Sequence, residues 1–143
     1  LSATEAARRL RAGSLAAADL MEALLDRIAA REPTVRAFVW LDPAQARRAA
    51  ARADATARAG YPTGPLHGLG LGVKDVLDTA DMPAQYGSAA WAGHRPRADA
   101  ACVALARRAG AVVIGKTVTT EFATRHPGPT ANPHNPGHTP GGS

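Results

Sequence analysis

The chain has 143 residues, 45% of them hydrophobic and 20% charged, an ordinary balance for one globular domain with its own core. No apolar run approaches the roughly 18 residues of a membrane helix, and no signal-peptide pattern occurs. We therefore expect no membrane partner and a cytoplasmic location. The single cysteine, Cys102, excludes an intrachain disulfide and is compatible with a reducing compartment.

The formal net charge of +5 raises the question of a nucleic-acid partner. Most of the basic residues are arginines in alanine-rich stretches, for example Arg8, Arg47 and Arg52, which predict solvated helix faces. Aromatic residues make up only 4% of the chain, too few for base-stacking platforms, so we expect no nucleic-acid binding. Against this background the only two lysines, Lys74 and Lys116, stand out because both lie in apolar surroundings.

Residues 1–60 predict a helical segment without recognisable chemistry. Ser2 and Glu5 form a capping-box pattern, Pro33 is expected to end the second helix, and Asp42-Pro43 is a typical helix start. The predicted helices cover residues 2–13, 14–33 and 42–60, and the apolar run at residues 35–41 predicts a strand between the last two.

Residues 61–126 predict an α/β unit. Strands are expected at residues 69–77 and 111–115, with a helix at residues 98–109 between them. This order predicts parallel pairing of the two strands. Cys102, Val103 and Leu105 are expected on the buried face of the helix, so Cys102 is interpreted as a core residue rather than a nucleophile.

Residues 127–143 contain five prolines and four glycines and show no apolar periodicity. This composition is typical of a linker or a disordered segment, although a long irregular loop in a compact domain can also be functional. Three histidines lie here or just before it, at positions 126, 134 and 138. Pro136 and Gly137 prevent a helix from presenting the last two together, so we expect no metal site and no cofactor.

Lys74 lies within an apolar strand and is the first candidate for catalysis. A buried ammonium is costly, so such a lysine either pairs with a carboxylate or becomes neutral, and a neutral lysine is a general base. The alternative is a structural ion pair with Asp75 or Asp78. Asp75 should point away from Lys74 because successive strand residues alternate, which favours a structural role for Asp75.

Gly141-Gly142-Ser143 is the second candidate. Two glycines allow a backbone to approach a ligand closely, and a serine beside them can be a nucleophile or a proton relay. Taken alone, the tripeptide is equally typical of a plain loop.

Four motifs occur in the order typical of the amidase signature family, which the chain therefore resembles. They are residues 64–75 (GPLHGLGLGVKD), 110–117 (GAVVIGKT), 119–122 (TTEF) and 132–143 (NPHNPGHTPGGS). The resemblance implies an α/β fold with a mixed β-sheet flanked by helices. It also implies that residues 1–143 form a single incomplete amidase domain: the helical segment 1–60, the part with the lysine motif at 61–126, and the loop 127–143.

The resemblance also implies a Ser–Ser–Lys catalytic group. Lys74 matches the lysine, and Ser143 matches the serine that follows a cis peptide bond and relays a proton between lysine and nucleophile. Gly142 and Phe122 are expected at the substrate. The family's nucleophilic serine lies further along than Ser143, so we expect the parent protein to hydrolyse a small-molecule amide and the 143-residue chain alone to be inactive.

Two alternatives remain open. The chain can be part of the amidase subunit of a tRNA-dependent amidotransferase, which would have partner subunits, or it can be a non-catalytic scaffold or interaction fragment. We also expect it to form a homo-oligomer or to associate with the missing C-terminal portion, because an incomplete domain exposes apolar surface.

Overall fold

A computed structural model of the chain describes residues 1–141. In chain order the elements are α1 (Ala3–Arg11), α2 (Ala17–Val35), β1 (Phe38–Leu41), α3 (Pro43–Arg58), β2 (Gly70–Lys74), α4 (Ala101–Arg108) and β3 (Val112–Thr117). Two short 3-10 turns, Ala89–Trp91 and Glu121–Ala123, interrupt the irregular segments. None of the described helices is long and apolar enough to cross a membrane.

The three strands form one mixed sheet in the order β1-β3-β2. β2 and β3 are parallel, as the sequence predicts, with Lys74 opposite Thr117 at their carboxyl ends. β1 joins the other side of β3 and runs antiparallel to it. The fold is therefore α/β with a mixed sheet, and the central strand β3 is buried along nearly its whole length.

The N-terminal helices pack on one face of this sheet. The side of α3 that meets α2 carries Ala46 and Ala50, both fully buried, so the two helices can lie close together. Met21 and Leu25 of α2 complete this core against β3. Asp42 caps α3 by accepting the Gln45 N–H at 3.0 Å, with Pro43 as the first helical residue, which confirms the predicted start.

Helix α2 differs from its prediction at both ends. It begins at Ala17 instead of Ser14, and Asp54 of α3 accepts the N–H groups of Ala17 and Ala18 at 2.7 and 3.0 Å. It continues past Pro33 to Val35, where Arg36 takes a left-handed conformation with φ 52° and ends it. The following strand therefore starts later than residue 35.

The predicted burial of α4 was wrong for two residues. Val103 is buried against the sheet, but Cys102 and Leu105 are exposed, Leu105 with 58% of its surface. At about 100° per residue, positions one and two steps from Val103 point away from the sheet. Only a narrow face of this eight-residue helix is covered, so Cys102 is not a core residue.

Substitution of Asp54 by alanine should destabilise the protein, because it removes the only side chain that accepts the two N–H groups at the start of α2 in residues 1–141. We expect the free energy of unfolding to fall by about 1–2 kcal/mol, as for other helix caps. Urea unfolding checks this. Asp26→Ala, which removes the same charge from an exposed position of α2, should change the free energy by less than about 0.5 kcal/mol, and equal effects would contradict the capping role.

Candidate active site

The carboxyl ends of β2 and β3 carry the residues that the sequence singles out. Lys74 is the last residue of β2, and the chain turns immediately after it, since the Leu77 N–H donates to the Lys74 carbonyl at 2.9 Å. The strand therefore ends earlier than the sequence predicts. Ligands of parallel sheets bind at this edge, where loops leave the strands.

Lys74 lines an open cleft of about 580 Å³. The residues around it come from the loop after β3 and from the proline- and glycine-rich tail. The lining residues are Ala37, Lys74, Thr117, Val118, Thr119, Thr120, Arg125, Pro127, Gly128, Thr130, Thr139, Pro140 and Gly141. Lys74 and Arg125 are basic, and none of these described lining residues is acidic.

Hydrogen bonds to the end of α2 hold the proline- and glycine-rich tail beside this cleft. Thr130 Oγ1 donates to the Arg36 carbonyl at 2.7 Å, and the Ala131 N–H donates to the Val35 carbonyl at 2.9 Å. A Cβ atom on Gly128 would collide with the Val118 side chain, so only glycine permits this close approach to the loop after β3. Of the two interpretations of the tail composition, these contacts favour an ordered loop over a linker or a disordered segment.

Two hydroxyl groups in the cleft wall have no hydrogen-bond partner among residues 1–141. They belong to Thr119, which is 4% exposed, and Thr120. Buried hydroxyl groups are usually satisfied, so these two are exceptions among the described residues.

Lys116 is fully buried behind the cleft and forms an ion pair with Asp75, with Nζ at 2.9 Å from Oδ1. The angles of this contact fall outside hydrogen-bond geometry, so Oδ1 accepts no hydrogen bond from the described residues. The lysine instead donates to the Pro83 carbonyl at 3.3 Å. Asp75 therefore has a buried ion-pair partner, Lys116, which the sequence did not identify.

Phe122, a predicted substrate contact, is not among the residues that line the cleft. It stacks on Tyr86 with ring centroids 6.4 Å apart, and 49% of its surface is exposed. Tyr86 also contacts the rings of Trp91 and His94. These rings form one surface cluster. The backbone beneath two of them is strained, since Phe122 and Tyr86 both have positive φ angles, and the Phe122 N–H donates to the Tyr86 carbonyl at 2.8 Å.

The predicted positions Gly142 and Ser143 lie outside the described residues, and the tail is described only as far as Gly141. The chain direction nevertheless brings Thr139, Pro140 and Gly141 to the wall that Lys74 lines. Within residues 1–141 no group of three or more His, Cys, Asp or Glu side chains is placed to hold a metal ion.

Sequence reasoning missed two features of the site. Arg125 enters the cleft wall from an irregular segment whose pattern predicts no orientation. The burial of Lys116 had one signal, its position in the apolar run AVVIGK, but its pairing with Asp75 joins β3 to the turn after β2 and has no local signature.

Several known proteins are similar to this chain in sequence. The family model described as Amidase matches residues 19–143. The chain is 44% identical over its whole length to a glutamyl-tRNA(Gln) amidotransferase subunit from Salinispora arenicola and covers 30% of that protein. It is 40% identical over 86% of its length to a putative amidase, AmiD, of Mycobacterium bovis, covering 26% of it.

Solved structures give the same result. The peptide amidase of Stenotrophomonas maltophilia superposes with a TM-score of 0.80 and 41% identity, over 86% of this chain and 26% of that one. Peptide amidase in complex with chymostatin gives a TM-score of 0.89 at 38% identity, over 99% of this chain and 32% of that one. These structures place the chain in the class of amidase folds. The chain belongs to the amidase family, has part of the amidase signature fold, and spans about 30% of the length of its curated relatives.

The phenol of Tyr86 should lose its proton at an unusually high pH. Burial, and then its hydrogen bond to Asp78 at 2.7 Å, raise the pKa of Tyr86 from 10.0 to about 12. Because the folded state holds this proton more tightly than the unfolded state, the free energy of unfolding should fall as the pH rises from about 10 to about 12.

Ultraviolet titration of tyrosinate absorbance checks this by difference. Tyr86→Phe should remove a step near pH 12, whereas Tyr61→Phe, at an exposed position, should leave that step in place. A Tyr86 step close to the ordinary value of 10.0 would contradict the prediction.

Proposed function

We propose that the protein to which this chain belongs hydrolyses carboxylic amides to an acid and ammonia or an amine, with Lys74 as the general base. One observation carries the proposal: Lys74 and the tail segment that leads into Gly142-Ser143 line the same cleft. The proposal also draws on the amidase relatives, which share the family and the fold.

The proposed mechanism is a proton relay. Neutral Lys74 accepts the proton of Ser143, and Ser143 accepts the proton of a nucleophilic serine further along the chain. That serine attacks the amide carbonyl and forms an acyl-enzyme, which water hydrolyses. The proton then returns through the same groups to the leaving amine, which an amide requires more than an ester does.

The substrate is held by the cleft and its rim. We propose that the Gly142 backbone and the Phe122 ring contact the substrate, Phe122 from the aromatic cluster next to the loop after β3. The mechanism uses no cofactor and no metal. A small-molecule amide without a nucleic acid fits a cleft of about 580 Å³ with few aromatic residues around it.

A second candidate is the amidase subunit of a tRNA-dependent amidotransferase. It is favoured by the curated relatives, several of which carry that name at 40–44% identity. In that case the same Lys74 chemistry would release ammonia from glutamine, and the product would pass to partner subunits. Glutaminase activity that appears only when such subunits are added supports this candidate, and hydrolysis of simple amides by the protein alone supports the first.

We further propose a cytoplasmic location, consistent with the single cysteine, and self-association or association with the remainder of the domain. Size-exclusion chromatography with light scattering tests the second point.

Replacement of Lys74 should abolish amide hydrolysis in the full-length protein. Lys74→Ala removes the base at the start of the relay, and groups that act as a unit lose most of the rate together, so kcat should fall by at least about 10³-fold. Steady-state hydrolysis of a simple amide measures this. Arg58→Ala, which removes a cation from the end of α3, should keep kcat within about twofold, and retention of more than a tenth of kcat in Lys74→Ala would exclude the proposed base.

The 143-residue polypeptide alone should not turn over amides, because the proposed nucleophile is not in it. The assay is release of ammonia or amine at high polypeptide concentration. Turnover that Lys74→Ala abolishes would show that a nucleophile lies within these residues and would refute this part of the proposal.

A further inference from the structure

The buried ion pair between Asp75 and Lys116 adjoins Lys74 but has no place in the proton relay. Lys116 is 0% exposed and the Asp75 side chain 2%, so both charges are removed from water. An ion pair this deep contributes little net stability, because desolvation of the two charges offsets their attraction. Net stability alone therefore does not explain why these two charges are buried here.

The Asp75–Lys116 ion pair connects three segments of the chain around Lys74, the proposed base. Asp75 follows the end of β2, and its N–H donates to the Thr117 carbonyl at 2.8 Å, which prolongs the pairing with β3. Its Oδ2 accepts the Gln85 N–H at 3.0 Å, and its carbonyl accepts the Tyr86 N–H at 3.1 Å. Lys116 lies in β3 and donates to the Pro83 carbonyl at 3.3 Å.

These contacts fix the positions of Lys74 and Thr117, which both line the cleft. Side chains alternate along a strand, so a carboxylate held behind the sheet at position 75 directs Lys74 towards the other side, where the cleft lies. On β3, anchoring Lys116 behind the sheet likewise holds Thr117, which faces Lys74 in register and lines the same cleft.

We propose that Asp75 and Lys116 are positioning residues whose buried ion pair holds Lys74 and the start of the loop after β3 in their catalytic places. The pair touches neither substrate nor reacting atoms. The catalytic part of this inference rests on the proposed amide hydrolysis, whereas the placement of Lys74 does not.

The test compares stability with activity in the full-length protein. Lys116→Met and Asp75→Asn each leave one buried group without its partner and should lower the Tm. In the double variant no unpaired charge remains, so most of the lost Tm should return. If the ion pair had only a structural role, kcat in the double variant would recover together with the Tm.

We expect a different result. In the double variant kcat for an amide should stay at least tenfold below that of the wild type, while KM changes by less than about threefold. Hydrolysis of the matching ester should fall less, because its leaving group needs the returned proton less. The exposed pair Glu22–Arg47, with a 2.7 Å contact, is the matched control, and Glu22→Gln with Arg47→Met should leave Tm, kcat and the amide-to-ester ratio unchanged.

A second measurement does not depend on amidase activity. Acetylation of Lys74 by acetic anhydride, followed by peptide mass spectrometry, reports how firmly the side chain is held. We expect the rate to rise at least threefold in the double variant and to stay constant in the control. If the wild type hydrolyses no amide but this increase occurs, the proposed function fails and the positioning role stands.

Wild-type kcat in the double variant, or an unchanged acetylation rate, would overturn the inference. If the double variant does not fold, Asp75→Asn carries the test below its own Tm, because asparagine keeps an oxygen that can accept the Gln85 N–H. Unchanged kcat and acetylation in that folded variant would overturn the inference equally.

Discussion

The parallel pairing of β2 and β3 determines where the other elements of the described chain can lie. A parallel pair needs a crossover, which α4 and the irregular residues around it provide, and both strands then release their loops at the same edge. β1 covers the other side of β3, and the α2–α3 pair covers one face. That geometry places Lys74 next to the loop after β3, although more than forty residues of sequence separate them.

The same pairing explains how a chain with so few lysines uses both of them. Lys74 and Lys116 lie on adjacent strands, yet one lines an open cleft and the other is sealed behind the sheet with a carboxylate. Burying Lys116 is tolerable only because Asp75 and the Pro83 carbonyl surround its ammonium. Two lysines in similar apolar runs therefore have different surroundings, and of the two only Lys74, at the end of β2, lines the cleft.

Sequence reasoning succeeded where the information was local or carried by an ordered motif. Asp42-Pro43 fixed the start of α3 through one side-chain cap, and the strand–helix–strand order predicted the parallel pairing. It failed where a distant side chain decided the outcome: Asp54, 37 residues away, sets the start of α2. The predicted burial of Cys102 and Leu105 was wrong because only a narrow face of α4 is covered. The width of that face depends on how the helix packs on the sheet.

The tail shows how composition can mislead about order. Prolines and glycines interrupt the apolar periodicity of a sequence. Proline also fixes its own φ angle, and glycine lets the backbone approach another segment closely. Both properties suit a segment that packs tightly against the rest of the protein. Gly128 lies against Val118, and the Ala131 N–H is satisfied by the end of α2. The order of the tail has a consequence for the proposed catalysis. The conformational entropy of these residues is lost when the protein folds, and not when a substrate binds. The described residues that lead to the proposed relay serine are therefore already in place when an amide enters the cleft.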